Sequence, residues 1–268
     1  MASRLLTTYF RRSWPHVSGD RLLYAFPLLA SLLYVDRLRR LLTTNDVLSL
    51  RFGLPTGLGS ISAFVNVPVT EGITVSPLFF LTPVALAADA ALTAAYLGRM
   101  RGQLHGREVD PVAAAREHLV PMLGVVVFTY VTGVGLLVAG LALGGLGLLA
   151  VPLVLLFGYL FYAAPYLVVV EGRGAIAALG RSYDLGTDGG EYLSFAVQYL
   201  LFTAAVSFPL SLVVYNIGIV GVALGILLTA PLAVAANAAT MLFVEELVGA
   251  EGGDRESPSA HWLDPEQR

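Results

Sequence analysis

Apolar residues in this chain come in long uninterrupted blocks, not in the short alternating runs of a half-buried strand or the one-sided stripe of a soluble helix. Leu119–Val170 carries no acidic, basic or histidine side chain across 52 residues. A helix needs about 20 apolar residues to cross roughly 30 Å of hydrocarbon, so this block predicts two spans. Its turn is placed at Gly144-Gly145-Leu146-Gly147, where clustered glycines release the helix. Tyr192–Val244, 53 residues, predicts a second hairpin turning at Asn216–Gly218. Upstream, Pro77–Gly98 is interrupted only by Asp89, and Arg21–Val35 is a shorter apolar run containing Pro27. The expected fold class is all-α, a polytopic transmembrane helical bundle of six spans with short interfacial helices. The spans fall at about 21–38, 77–98, 119–143, 148–170, 192–214 and 218–244, within a membrane domain covering 21–248.

The first span is short, with 14 uncharged residues from Leu22 to Val35. It crosses if Arg21 and Arg37 snorkel to the interfaces; otherwise the segment is re-entrant or interfacial. Arginines set the orientation. Arg99, Arg101, Arg107 and Arg116 follow the second span and Arg173 and Arg181 the fourth, whereas the two tight turns hold none. The arginine-bearing loops are therefore expected in the cytoplasm. Six spans then put both termini inside, in a multi-pass protein of the cell membrane.

Outside the spans, residues 1–20 form a cytoplasmic segment. There Leu5, Leu6, Tyr9, Phe10 and Trp14 beside Arg11 and Arg12 give either an interfacial amphipathic helix or a frayed terminus. Arg11-Arg12 is read as a topological anchor and not as a twin-arginine export signal. The apolar core runs into Asp36-Arg37 with no small-residue cleavage site. Residues 51–76 are expected as an external loop whose alternating part, Ile61–Val75, is either a hairpin about Glu71-Gly72 or irregular. Asp110-Pro111 opens a surface helix over Val112–His118. A second such helix, within Gly174–Tyr183, places Ile176, Leu179 and Tyr183 on one face. Residues 249–268 read as an acidic disordered tail, and Glu245-Glu246 as the solvated end of the last helix.

Composition supports this picture, with 56% hydrophobic and 13% charged residues and a mean hydropathy of +0.75. All 16 basic residues are arginine, against 19 acidic ones, which argues against a nucleic-acid partner. Absence of lysine beside an acidic tail suits a halophile or a GC-rich genome. With no cysteine, disulfides, thiolate metal sites and cysteine nucleophiles are excluded. His16, His105, His118 and His261 show no metal-ligand spacing, so no metal, cofactor or catalytic residue is assigned and no enzyme activity is expected.

Asp89 is the candidate functional residue. It is the one carboxylate near the middle of a span, where an uncompensated charge costs about 2.5–3.5 kcal/mol. It serves either proton or solute transfer or helix locking, through hydrogen bonds from residues such as Thr82, Thr93, Gln198, Thr203 or Asn237. Glu171 and Arg181 are candidate interfacial residues, with Arg181 aimed at headgroups or at Glu171 and Asp184. The expected role is a non-enzymatic structural or accessory component, in contact with the lipid bilayer and recruiting a protein partner through the acidic tail or the cytoplasmic loops. The alternative is a small-solute or proton-coupled permease using Asp89.

Two patches carry a resemblance to a known group. One runs from Ala95-Tyr96-Leu97-Gly98 through Arg107-Glu108 to Pro121-Met122-Leu123. The other joins Pro165-Tyr166-Leu167-Val168-Val169-Val170-Glu171 to Ala177-Ala178-Leu179 and Arg181-Ser182-Tyr183. Over about residues 85–195 the chain resembles uncharacterised six-helix membrane proteins related to the membrane domain of some glycerophosphodiester phosphodiesterases. The resemblance implies a six-helix membrane fold and carries no activity with it.

Overall fold

The computed structural model describes residues 5–33, 35–44, 46–67, 80–142 and 150–255, and no strand occurs among them. Four helices are long and apolar enough to cross a membrane: Pro111–Gly140, Val151–Val170, Gly190–Asn216 and Gly218–Ala250. Helix α2, Arg21–Leu33, spans about 20 Å with its 13 residues and is followed by α3, Val35–Thr43. Helix α5, Thr82–Leu104, has the length but also carries Asp89, Arg99 and Arg101. It lies inside the bundle, with Ala90, Ala94, Tyr96, Leu97 and Met100 fully buried.

Asp110 caps helix α6, Pro111–Ala142, through Oδ1 to Val112 N at 3.3 Å and Oδ2 to Ala113 N at 3.2 Å. The expected surface helix over Val112–His118 is therefore the first turns of one 32-residue helix that continues through Pro121. The Gly144–Gly147 turn lies outside the described residues. The next span is divided into α7, Ala150–Phe161, and α8, Ala164–Val170, with a turn at Tyr162–Ala163. Pro165, in the first turn of α8, lacks the N–H that would continue the ladder. Helices α10, Gly190–Asn216, and α11, Gly218–Arg255, form the expected hairpin, reversed at Gly218 with φ +57°.

Two expectations need correction. Helix α1, Leu6–Val17, is amphipathic, but part of the apolar set expected on lipid, Leu6 and Tyr9, is buried against the bundle with Ser13 and Val17, while Trp14 stays 39% exposed. Tyr9 meets Phe195 and Phe243 edge-on at 5.9 and 5.7 Å. Helix α9, Ala175–Asp188, by contrast keeps the expected face, with Ile176 88% and Tyr183 49% exposed, and buries Ala178, Ser182, Leu185 and Gly186. Ala178, Ser182 and Gly186 let α9 approach the bundle closely around Leu185, while Ile176 and Tyr183 face outward. Helix α11 runs on to Arg255, past the boundary expected for the tail; residues 256–268 lie outside the described residues.

Candidate functional site

The expected external loop departs most from its prediction. Residues 48–60 are not a surface excursion: 49–53 run along the side of α10, the chain bends at 57–58 inside the bundle, and α4, Ile61–Phe64, begins the return. The start of the alternating stretch is thus helical, and the hairpin expected about Glu71-Gly72 lies outside the described residues. Ser211 Oγ accepts from Ser49 N at 3.2 Å, Ser207 Oγ from Arg51 N at 2.9 Å, and Thr203 Oγ1 from Gly53 N at 3.0 Å. Thr203 also donates to Gly53 O at 3.0 Å, and Ser211 to Ser49 O at 3.0 Å. The registers match physically. Four residues of helix rise about 6 Å and two of extended chain about 6.6 Å, so hydroxyls at 203, 207 and 211 meet alternate amides at 53, 51 and 49. Thr203 is the midpoint of α10, which sets the depth of the thread.

Beyond Gly53 the segment goes deeper among the helices. A Cβ on Gly57 would stand 3.1 Å from Thr93 Cγ2 and 3.2 Å from Pro165 Cβ. One on Gly59 would stand 2.5 Å from the Ala233 Cβ, so only glycine fits against α11 there. Ser31 Oγ accepts from Ile61 N at 3.0 Å. At the mouth, Asn66 Nδ2 donates to Leu50 O at 2.7 Å and Tyr215 Oη to Asn66 O at 2.5 Å, which pins the descending and returning limbs to α10.

A cavity of about 450 Å³ lies between this segment and helices α5, α6 and α7. Asp89 and Thr93 face it from α5, Arg51 and Thr56 from the segment, Arg37 from α3, and Thr129 and Tyr130 from α6. Its apolar wall includes Leu86, Val125, Val126, Phe157 and Phe161. Tyr162, at the break between α7 and α8, also lines it. Of the hydrogen-bonding residues weighed for Asp89, Thr93 shares this cavity, while three others are engaged elsewhere. Gln198 accepts from Leu6 N at 2.6 Å, Thr203 holds Gly53, and Asn237 accepts from Tyr166 Oη at 2.5 Å.

The opposite face of the bundle is a lattice of charges. Asp20 caps α2 through Leu22 N at 3.0 Å and takes Arg99 Nε at 2.5 Å, while Arg99 Nη1 donates to Val109 O at 3.0 Å. Arg101 pairs with Glu245 at 3.3 Å and donates to Val169 O at 2.6 Å. Glu246 pairs with Arg12 and accepts from Tyr9 Oη at 3.3 Å. Glu245 and Glu246 are therefore inter-helix ties and not a solvated end; successive helical residues point about 100° apart, so each reaches a different partner. Glu171 is held by Arg173 at 2.5 Å. Arg181 is half-buried, with its Nε out of contact with solvent.

The sequence reading missed Arg51, Ser207 and Ser211, and offered Thr203 to Asp89 where it holds Gly53. A signal was available: Thr203, Ser207, Ser211 and Tyr215 recur every four residues along the otherwise apolar stretch 200–215, a polar stripe that needs a polar partner. Compared with known proteins, the chain matches no family profile, no curated protein and no solved structure.

Proposed function

We propose that this membrane protein is a permease for a small solute, with six crossings, both termini cytoplasmic, and proton coupling through Asp89. One observation carries the reading: extended backbone is threaded to the middle of an apolar helical bundle, beside a cavity bearing Asp89, Arg37 and Arg51. Non-helical backbone at such depth is tolerated where it is buried in protein or lines a water-filled cavity, and transporters build their sites from such interruptions. The α7–α8 break beside the same cavity supports the reading further. An accessory component would need none of these features, so the permease is preferred over a partner-recruiting role. Kinship with the phosphodiesterase-associated membrane domains belongs to the same proposal.

The chain has no cysteine, so single thiols report cleanly. Asp89→Cys and Thr129→Cys in proteoliposomes are expected to react with a membrane-impermeant thiol reagent from one side. Val47→Cys and Ile176→Cys, exposed at opposite ends of the bundle, are the controls. Complete protection of both cavity positions beside reactive controls would mean a sealed bundle and overturn the permease reading.

A further inference from the structure

We propose that the cavity binds an amphiphilic anion, its head held by Arg51 and Arg37 and its hydrocarbon body lying along α6 and α7. The inference rests on the permease reading and names its substrate class. Charge comes first: among the described residues, the ionisable groups lining the cavity are Arg37, Arg51, Asp89, Tyr130 and Tyr162, so two guanidiniums face one carboxylate. Arg51 is also incompletely used. Its Nη1 donates to Asn66 Oδ1 at 3.3 Å, while its Nε is buried with no acceptor. A guanidinium buried at a cavity wall is poorly solvated, and a carboxylate or phosphate is the ligand whose charge and oxygens compensate it.

The rest of the wall is built for hydrocarbon. Val125, Val126 and Leu86 face the space, and Phe157 and Phe161 pack with Phe128 at 5.5 and 5.1 Å into a firm aromatic surface. Tyr130 and Val154 line the cavity yet are 39% and 47% exposed. Both sit on helices long and apolar enough to face lipid, so the mouth opens on the flank of the bundle, where an amphiphile enters from the bilayer. The volume falls in the range of roughly 300–1,000 Å³ usual for small-molecule sites. Asp89 opposes an anion while ionised and ceases to do so once protonated, which couples head binding to a proton.

The test is equilibrium binding of radiolabelled oleate to the purified full chain in nanodiscs. Saturable binding of oleate is expected, weakened at least about tenfold in Arg51→Gln and in Val126→Trp, which fills the apolar wall. Gly158→Leu is the second blocking variant, since a Cβ there already meets Leu54 Cδ1 at 3.3 Å. Asp89→Asn is expected to tighten binding at neutral pH and to flatten its pH dependence. Oleyl alcohol, which lacks the charge, should bind at least about tenfold more weakly than oleate. Displacement by lysophosphatidate distinguishes a phosphate head from a carboxylate. Three results would each overturn the proposal: oleate binding untouched by Arg51→Gln and both blocking variants, oleyl alcohol binding as tightly as oleate, or acetate or inorganic phosphate displacing oleate as well as lysophosphatidate does. Thiol labelling at position 89 depends only on water, so failure here leaves the permease reading to be judged separately.

Discussion

Thr203→Val isolates the deepest rung of the hydroxyl ladder while nearly preserving side-chain shape. It removes the acceptor for Gly53 N and the donor to Gly53 O, both at 3.0 Å. In a dry interior an orphaned backbone group costs about 1–3 kcal/mol, whereas hydrogen bonds measured inside membrane bundles average about 0.6 kcal/mol. Two bonds together give about 1–3 kcal/mol against the docked state of the segment, which is about a 5- to 150-fold shift toward release. Amide hydrogen exchange resolved by peptide mass spectrometry reads this directly. Exchange over residues 49–58 should accelerate by that factor in the variant, while amides of α11 near Asn237 stay unchanged. Exchange within about twofold of the parent over 49–58, or uniform acceleration across the bundle, would refute the claim that these hydroxyls hold the segment at depth.

Two further substitutions probe the frame around the site. Gly59→Val places a branched side chain where even a Cβ meets that of Ala233 at 2.5 Å, so it should destabilise by about 1–3 kcal/mol in sodium dodecyl sulfate titration; failure of Ala233→Gly to restore part of the loss would remove the contact as its cause. Arg99→Ala leaves Asp20, whose side chain is 8% exposed, without its cation and should cost about 3–5 kcal/mol in the same titration. A loss below about 1 kcal/mol, the level of a surface pair, would show that water takes over the role of Arg99.

Much of the frame is legible because membrane helices are specified locally. The uncharged blocks place α6, α7, α10 and α11, since in hydrocarbon a helix satisfies its own backbone and needs only apolar side chains. Asp110-Pro111 marks the start of α6 through a cap made within three residues, and Gly218 marks the reversal between α10 and α11 through its own φ. Asp89 stands out by the same local logic, a charge in an apolar run. Periodicity likewise places Ile176 and Tyr183 on one face of α9, though it does not say whether protein or membrane covers that face. In sequence Glu245 and Glu246 read as a solvated end, because their partners, Arg101 and Arg12, lie more than a hundred residues away.

The site itself is a product of assembly. Residues 48–60, rich in Gly, Pro and polar groups, have the composition of an exterior loop. They lie inside because hydroxyls about 150 residues later meet their amides in register. Local hydropathy weighs side chains one at a time, so it places the helices that satisfy themselves. It has no means of pairing a backbone N–H with a distant hydroxyl, and that pairing is what carries an unhelical segment to the heart of the bundle and opens the cavity beside Asp89.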